Sequence, residues 1–277
     1  MLHVDNSFLI LKYDYFIIGR YILYLPKLIT SNFIFHIVPT EYDYIQQIGT
    51  TYETSQKPHV KKLNNYFHQQ QTKTVFDLIQ KMQLDDYNRV IDLGCSDGGW
   101  LNDYKAMKFC NVVGIDISSE RAEKAKKRGY SETFVTNAYN LPFENGSELC
   151  IICNGMIVHV INDSDRLKIF REVKRVLKKN GIFILNFANA RARGLKTDST
   201  KEYCRLNTIE LITKLVKESG LSIEHIKPGY YIYPRLGANR KITSISTKFL
   251  FPITNYFLKK FNNINLAEVI YLGVRKK

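Results

Sequence analysis

The chain has 277 residues and a formal net charge of +14 at pH 7, and 45% of its residues are hydrophobic. This length suits one large domain or a catalytic domain with appendages, and the hydrophobic content argues against an intrinsically disordered chain. The five cysteines are scattered and odd in number, so we expect no disulfide framework and predict a reducing, cytoplasmic location.

The basic charge is compatible with attraction to nucleic acid, anionic lipid or an acidic metabolite. The lysines are spread along the chain, however, and a genome's base composition can impose the same richness in Lys, Asn, Ile and Tyr. Basic pairs such as Lys178-Lys179 fall at predicted helix ends, where cations complement the helix dipole. We therefore keep nucleic acid as an alternative partner that the charge alone does not favour.

Residues 1–45 are apolar and aromatic, but charged residues interrupt them and Pro26 would break a spanning helix. No run reaches the roughly 20 residues that a transmembrane helix needs, and no secretory signal pattern is present. We expect this apolar or helical extension to pack on the core, with peripheral membrane contact or shielding of an oily substrate as alternatives. Residues 46–65 are polar and predict a linker, so residues 1–65 form the extension and 66–277 the main domain.

Strand-like and helix-like segments alternate through the main domain. The predicted strands are 90–93, 112–115, 134–136, 149–153, 182–187, 221–226 and 266–274. The predicted helices are 64–82 (as one or two helices), 101–108, 118–128, 163–179 and 207–220. This alternation predicts an α/β fold, a Rossmann-like doubly wound sheet of seven mostly parallel strands with helices on both faces. The irregular, aromatic and basic residues 228–264 are expected to form an insert.

A glycine-containing turn follows the first predicted strand, with the sequence Asp92-Leu93-Gly94-Cys95-Ser96-Asp97-Gly98-Gly99. Glycine permits unusual dihedrals there and lets the backbone approach a ligand, and the next helix would present its N-terminal amides to a bound group. Alone, such a turn is weak support for a ligand site.

Polar residues follow the next three strands as well. Asp116, which precedes Ile117, can accept hydrogen bonds from ribose hydroxyls, and its interval from Asp92 is close to the roughly 20 residues of dinucleotide sites. A helix cap is the less favoured alternative for Asp116. The amide of Asn137, beside Ala138, could bond an adenine edge, although simple turn chemistry also explains it. Since ligands of doubly wound folds bind outside the strand ends, these turns and the segment from Asn154-Gly155 to His159 are predicted to converge.

Together these segments resemble the class I S-adenosylmethionine-dependent methyltransferases, particularly the branch with ubiquinone- and menaquinone-biosynthesis enzymes and many small-molecule methyltransferases. The resemblance covers about residues 85–228. It implies S-adenosyl-L-methionine as the cofactor, with Asp92 and the turn amides at its methionine part and Asp116 at its ribose. The implied cofactor-binding residues are Asp92, Gly94, Cys95, Ser96, Gly98, Asp116, Ile117, Asn137, Ala138, Asn154 and Gly155.

This sequence departs from the family pattern at several positions. Ser96 replaces the middle glycine of the first motif, and Asn137 replaces an acidic residue near the adenine. Many relatives carry an acid immediately before the histidine that corresponds to His159, where this chain has Val158. These changes leave the cofactor site in place but blur assignment to a subfamily.

His159 is the candidate general base, because it should lie near the cleft, although a structural role at a strand-to-helix junction is somewhat favoured. Cys150 and Cys153 form a C-x-x-C in a predicted buried strand, where residues three apart face opposite sides, so we predict no metal site there. The Asp-Pro-Pro-Tyr or Asn-Pro-Pro-Tyr tetrapeptide of enzymes that methylate exocyclic base amines is absent after the fourth strand.

The leading hypothesis is a methyltransferase for a small-molecule acceptor, which the N-terminal segment and residues 228–264 would bind. An RNA methyltransferase and a non-catalytic binding protein are the alternatives. The RNA hypothesis depends on a basic face formed by Arg191, Arg193, Lys196, Lys201, Arg235, Arg240, Lys241 and Lys248. Candidate substrate-pocket tyrosines are Tyr139, Tyr203, Tyr231 and Tyr233. The sequence does not predict the acceptor atom or the oligomeric state.

Overall fold

The computed structural model describes residues 14–18, 21–25, 58–84, 86–201, 204–231, 253, 256 and 264–277. Its centre is a seven-stranded sheet with helices on both faces. The strands are β1 (Asp14–Ile18), β2 (Tyr21–Leu25), β3 (Arg89–Leu93), β4 (Asn111–Asp116), β5 (Glu132–Val135), β6 (Glu148–Cys153), β7 (Leu177–Ala188), β8 (Ser199–Lys201), β9 (Cys204–Leu206), β10 (Ser222–Tyr230) and β11 (Val269–Arg275). The α-helices are α1 (Pro58–Lys81), α2 (Leu101–Ala106), α3 (Ser119–Arg128), α4 (Asp163–Val176) and α5 (Ile209–Glu218).

The strand order of the large sheet is β10-β11-β7-β6-β3-β4-β5. The five strands from β7 to β5 pair in parallel, and β11 and β10 add two antiparallel pairings at one edge. The chain runs outward from β3 to β5 and then returns to the other side of β3 as β6. This reversal makes the carboxyl end of β3 a topological switch point, where doubly wound folds bind ligands. The predicted seven-stranded, mostly parallel sheet is thus confirmed.

Side chains along the central strands alternate between two buried clusters, one on each face of the sheet. Ile151 and Cys153 of β6 belong to the cluster packed against α4 and α5, whereas Cys150 and Ile152 belong to the cluster packed against α1 and α2. This double burial explains why the central strands are near-continuous apolar runs in the sequence. The two cysteines of the C-x-x-C therefore face opposite sides of the sheet.

Several boundaries differ from those predicted. Helix α1 begins at Pro58, inside the polar segment that predicted a linker. Helix α4 ends at Val176, three residues earlier than expected, because Leu177 already pairs with Glu148 as the first residue of β7. The helix predicted over 163–179 was therefore too long at its carboxyl end, because strand pairing outweighs local helix propensity there.

The N-terminal extension contains a short antiparallel pair, β1 with β2, in addition to the first part of α1. Strand β10 continues to Tyr230 and so includes the first residues of the expected insert 228–264, whereas most of that insert lies outside the described residues. Among the described helices, none combines the length and the apolar character needed to cross a lipid bilayer.

Candidate active site

The turn after β3 is folded tightly against the end of β4. The backbone N–H groups of Gly94 and Cys95 both donate to the carbonyl of Ile115, at 2.8 and 2.9 Å. Gly94, Ser96 and Gly98 have positive φ angles of +82°, +51° and +77°. The turn therefore uses the left-handed region three times in five residues, which glycine adopts at little cost and serine does not.

Gly94 also allows the segment after β6 to approach the turn. A Cβ atom at Gly94 would lie 2.7 Å from Cβ of Met156, closer than real side chains come. At Gly98 a Cβ would lie 2.8 Å from the ring of Tyr130, so this glycine permits close packing below the turn. Gly94 thus shapes the wall of the cleft, whereas Gly98 lets Tyr130 pack closely beneath the turn.

Asp116 is almost fully buried at the carboxyl end of β4. Its Oδ2 accepts the backbone N–H of Ser96 at 2.8 Å, and its Oδ1 accepts the N–H of Ser118 at 2.9 Å. Burial raises the pKa of this carboxyl above its usual value, against the opposing effects of the two N–H bonds and the charge of Arg121. The N-cap of α3 is Ser118, whose Oγ accepts the N–H of Arg121 at 3.4 Å.

An open cleft extends over the ends of β3, β4, β5 and β6. Ligands of doubly wound folds bind in a cleft at this position. Nine of the residues predicted for the site line this cleft: Gly94, Ser96, Asp116, Ile117, Asn137, Ala138, Asn154, Gly155 and His159. The exposed ring of Tyr139 lies beside it, with the ammonium of Lys168 5.8 Å from the ring centre. The cleft thus unites turns from four strands.

Three of the predicted residues do not line this cleft: Asp92, Cys95 and Gly98. Asp92 is 2% exposed, and its carboxylate accepts the hydroxyls of Tyr104 at 3.0 Å and Tyr130 at 2.6 Å. Its side chain therefore braces β3 against the helices beneath the turn. Cys95 is buried, which raises the pKa of its thiol, and it borders a second, smaller cavity.

His159 ends a short 3₁₀ helix, Ile157–His159, and its Nδ1 lies 3.8 Å from Sγ of Cys204. Two arginines hold this segment by its carbonyl groups. The guanidinium of Arg205 donates to the carbonyl of Ile161 at 2.8 Å, and that of the fully buried Arg166 donates to the carbonyl of Ile157 at 3.4 Å. The backbone around His159 is therefore fixed from the side of β9 and α4.

The second cavity adjoins the cleft and brings in residues that the sequence did not single out. His68 and Gln71 of α1 line it, and Asp103 of α2 holds the imidazole of His68 with 2.7 Å between Nε2 and Oδ2. His68 and Asp103 lie on separate helices, and no motif links them in the sequence. The only available signal was the presence of polar residues on a helix otherwise expected to pack on the core.

Some predicted features cannot be placed. Tyr203, Tyr233 and the basic residues Arg235, Arg240, Lys241 and Lys248 lie outside the described residues, as do the side chains of Arg193, Lys201 and the extension up to residue 63. Of the expected basic face, Arg191 is paired with Glu210 at 3.0 Å and Lys196 is exposed. Tyr231 is 1% exposed and belongs to the core rather than to the cleft.

Part of this chain matches a known protein family and several known proteins. Residues 90–181 match the model of a family described as "Methyltransferase domain". An uncharacterized protein of Methanocaldococcus jannaschii is 40% identical over 114 residues, which are 41% of this chain and 41% of that protein. The cyclopropane-fatty-acyl-phospholipid synthase of Escherichia coli K12 is 33% identical over 127 residues, 44% of this chain and 31% of the synthase. The chain thus spans less than half the length of either relative.

Among solved structures, the magnesium protoporphyrin IX methyltransferase of Synechocystis PCC 6803, determined with bound SAM, shares the fold. It aligns with a TM-score of 0.55 and 15% identity over 85% of this chain and 95% of that enzyme. The family match covers the segment from β3 into β7, which contains the residues that line the cleft.

Proposed function

We propose that this protein transfers a methyl group from S-adenosyl-L-methionine to a small-molecule acceptor. The match of residues 90–181 to the family described as "Methyltransferase domain" and the fold shared with a methyltransferase determined with bound SAM support this proposal. One observation carries the proposal: the acid that ends β4 and the glycine turn that ends β3 meet at the switch point of the sheet, on the wall of an open cleft.

The residues of the cleft fit this cofactor. Asp116 offers a carboxylate for ribose hydroxyls, and the side-chain amide of Asn137, beside Ala138, suits the edge of an adenine ring. The backbone of Gly94 lines the cleft where the methionine part would lie. Asn154, at the junction of the two cavities, has a buried Oδ1 without a hydrogen-bond partner, which marks a polar position that a ligand's donor could satisfy.

When bound, this cofactor supplies a methyl carbon activated by a positively charged sulfur, which keeps the electron pair of the broken bond. The chain's own residues have to align the acceptor with that carbon and exclude water. Positioning of this kind supplies roughly 7–11 kcal/mol of a reaction barrier. The tight turn after β3 and the arginine-fixed segment at 157–161 are rigid walls suited to this task.

A small-molecule acceptor is favoured over RNA by the shape of the site, because turns from four strands surround the cleft and a smaller cavity lined partly by apolar side chains adjoins it. The relatives include both classes, since an enzyme named for fatty-acyl phospholipids matches 44% of this chain and a probable tRNA methyltransferase of Mus musculus matches 49% of it. The preference therefore rests on the cavities. His159 remains the sequence-based candidate for a base in this cleft.

The proposal can be tested with the full chain by calorimetry and a labelled-methyl assay. We expect one-site binding of S-adenosylmethionine and S-adenosylhomocysteine and no binding of NADH as the control ligand. With a labelled methyl group, we expect label in the low-molecular-weight fraction of a cell extract. Failure to bind either adenosyl compound would contradict the proposal. Label in RNA instead would overturn the acceptor class, and binding without transfer to any fraction would indicate a non-catalytic binding protein.

A further inference from the structure

The second cavity adjoins the cleft at the glycine turn and adds a polar wall to it. Gly94, Ser96, Asn154 and Gly155 line both spaces. Gln71 of α1 lines only the second cavity and is 4% exposed. Since the methionine part of the cofactor would lie along the turn, the second cavity is the space beside the outer end of that part.

The amide of Gln71 is held in one orientation. The backbone N–H of Gly155 donates to Oδ1 of Asn186 at 2.7 Å, which identifies Nδ2 of Asn186 as the donor side of that amide. Nδ2 of Asn186 donates to Oε1 of Gln71 at 3.3 Å, and the hydroxyl of Tyr271 donates to the same oxygen at 3.0 Å. Two donors thus fix the oxygen of Gln71. Its Nε2, which has no hydrogen-bond partner among the described residues, is left as a donor on the cavity wall.

Asn154 supplies the opposite character, an acceptor without a donor. The hydroxyl of Tyr104 donates its proton to Asp92 at 3.0 Å, so its oxygen can accept from Nδ2 of Asn154, which lies 3.4 Å away. The amide nitrogen of Asn154 therefore faces Tyr104. Its Oδ1 is buried and has no partner among the described residues. A buried acceptor without a donor costs free energy, so this oxygen marks a place for an N–H group of a ligand.

The carboxylate of Asp92 lies behind Asn154 and lines neither cavity. It is 2% exposed, and its oxygens accept the hydroxyls of Tyr104 at 3.0 Å and Tyr130 at 2.6 Å. The family resemblance implies that Asp92 lies at the methionine part, but the structure gives it an indirect position. Asp92 orients Tyr104, which orients the amide of Asn154, and its negative charge favours a cation on that side of the cavity.

Resting on the cofactor proposed above, we infer that the polar side of the second cavity binds the amino-acid end of that cofactor through Gln71 and Asn154. Nε2 of Gln71 donates to the α-carboxylate, and Oδ1 of Asn154 accepts from the α-ammonium. An α-amino acid carries one anionic acceptor and one cationic donor on the same carbon, so a fixed donor and a fixed acceptor on one small cavity match it. Asp92 is a positioning residue, because it orients Asn154 through Tyr104 without contacting the ligand.

Four adenosine thioethers separate the two contacts in calorimetry on the full-length protein. S-adenosylhomocysteine carries both charged groups, its decarboxylated analogue keeps the ammonium, its deaminated analogue keeps the carboxylate, and methylthioadenosine lacks both. We expect methylthioadenosine to bind at least about tenfold more weakly than S-adenosylhomocysteine, because it loses the hydrogen bonds of two charged groups. The two analogues should bind with intermediate affinity. Equal affinity for all four compounds would overturn the inference.

Gln71→Glu tests the carboxylate contact while it keeps the network of the wall. The new side chain still offers an oxygen to Asn186 and Tyr271, but a negatively charged oxygen replaces the donor Nε2. S-adenosylhomocysteine and the deaminated analogue should bind at least about tenfold more weakly, whereas the two ligands without a carboxylate should not weaken by more than about twofold. Gln80→Glu, at an exposed position of the same helix, is the control and should change no Kd by more than about twofold. Unchanged binding of S-adenosylhomocysteine in Gln71→Glu, or equal weakening of all four ligands, would remove this contact.

Asn154→Leu tests the ammonium contact, since it removes the acceptor and leaves the bond from Tyr104 to Asp92 in place. S-adenosylhomocysteine and the decarboxylated analogue should bind about tenfold more weakly, and the deaminated analogue should stay within about twofold. Tyr104→Phe should give the same selective loss at about threefold, because Asn154 loses its orienting partner. Tyr130→Phe, which removes the other hydroxyl from Asp92, is the control and should leave the ratio of the two analogues' affinities unchanged. An unchanged ratio in Tyr104→Phe would contradict the positioning role of Asp92.

The same titrations separate this inference from the proposed function. If the wild-type protein binds S-adenosylhomocysteine and methylthioadenosine equally well, the second cavity does not hold the amino-acid end, while the methyltransferase proposal stands. If the wild-type protein binds none of the four compounds and no S-adenosylmethionine, the methyltransferase proposal fails and the roles of Gln71 and Asn154 fail with it.

Discussion

The carboxylate of Asp116 accepts the backbone N–H of Ser96 at 2.8 Å, and so ties the acid at the end of β4 to the glycine turn that follows β3. Its other oxygen accepts the N–H of Ser118 at 2.9 Å. An ionised carboxylate offers about four lone-pair sites, so these two bonds leave acceptor capacity for a ligand. One side chain can therefore organise two turns of the cleft and still bind a hydroxyl group.

Asp116→Asn should weaken cofactor binding substantially. The substitution keeps an oxygen for the N–H of Ser118 but removes the charge and one acceptor. Because a hydrogen bond to a charged group contributes about 1.5–3 kcal/mol, the Kd should rise about 10- to 100-fold. Titration calorimetry with S-adenosylhomocysteine measures this. Glu120→Gln, an exposed acid in the first turn of α3, is the control and should change the Kd less than about twofold. An unaltered Kd in Asp116→Asn would remove the ribose assignment.

Cofactor binding should also weaken on acidification, and earlier than an exposed aspartate would cause. Burial raises the pKa of Asp116 above 3.8, so its carboxylate takes up a proton as the pH falls through that raised value. The protonated form has lost its charge, and the Kd should therefore rise below that pH. In Asp116→Asn the same part of the pH profile should be flat. A parallel pH dependence in both proteins would assign the effect to another group.

Gly94→Ala should destabilise the protein and impair the cleft. The residue has φ +82°, and a new Cβ would lie 2.7 Å from Cβ of Met156. Gly194 has φ +75° with nothing within 4 Å of the added atom, so Gly194→Ala carries the backbone strain without the collision. In urea unfolding, we expect the free energy of unfolding to fall by about 1 kcal/mol in Gly194→Ala and by at least about 2 kcal/mol in Gly94→Ala. Equal losses in the two variants would mean that Met156 moves away from the new Cβ at little energetic cost.

Much of the fold was predictable because its signals are local. The buried parallel strands are continuous apolar runs, and helix α3 is bounded by a serine cap and by Gly129 with φ +110°. The end of α4 was not predictable, since Leu177 is chosen for β7 by its pairing with Glu148, a partner distant in sequence. Local periodicity does not contain that information.

The candidate site was likewise predictable only in part. The sequence predicted that Asp116 and Gly94 would lie close together, because each lies at the end of a strand and parallel strands end at the same edge of the sheet. It did not indicate that Asp92, in the same motif, would turn its carboxylate toward Tyr104 and Tyr130. Nor did it indicate the pairing of His68 with Asp103, which depends on how α1 and α2 pack. Contacts between helices distant in sequence are the part that pattern analysis does not reach.

Tyr130→Phe should destabilise the protein through Asp92. The hydroxyl of Tyr130 donates to the buried carboxylate at 2.6 Å, and its loss leaves that oxygen without this bond. Since bonds to buried charged groups contribute about 1.5–3 kcal/mol, the free energy of unfolding in urea should fall by that amount with an unchanged m-value. Tyr87→Phe is the control, because its hydroxyl has only a 3.4 Å contact with Gln80, and it should cost under about 0.5 kcal/mol. Similar losses in both variants would contradict a special role for this bond.

Thiol reactivity should report how tightly the layers around β6 are closed. Cys110 is the exposed thiol of the five, whereas Cys95, Cys150, Cys153 and Cys204 are buried. Burial raises the pKa of Cys153 and of Cys204 to about 12, and those of Cys95 and Cys150 are raised as well.

Because the thiolate is the reactive form, at pH 8 Ellman's reagent should label one thiol rapidly in the native protein. In Cys110→Ser it should label none until denaturant is added, after which the remaining four thiols should react. Rapid labelling of a second thiol in the native Cys110→Ser protein would mean that reagent reaches the second cavity through Cys95 or enters the sheet beside β6. Protection of that thiol by S-adenosylhomocysteine would then place the opening beside the glycine turn, where Cys95 lies, rather than beside β6.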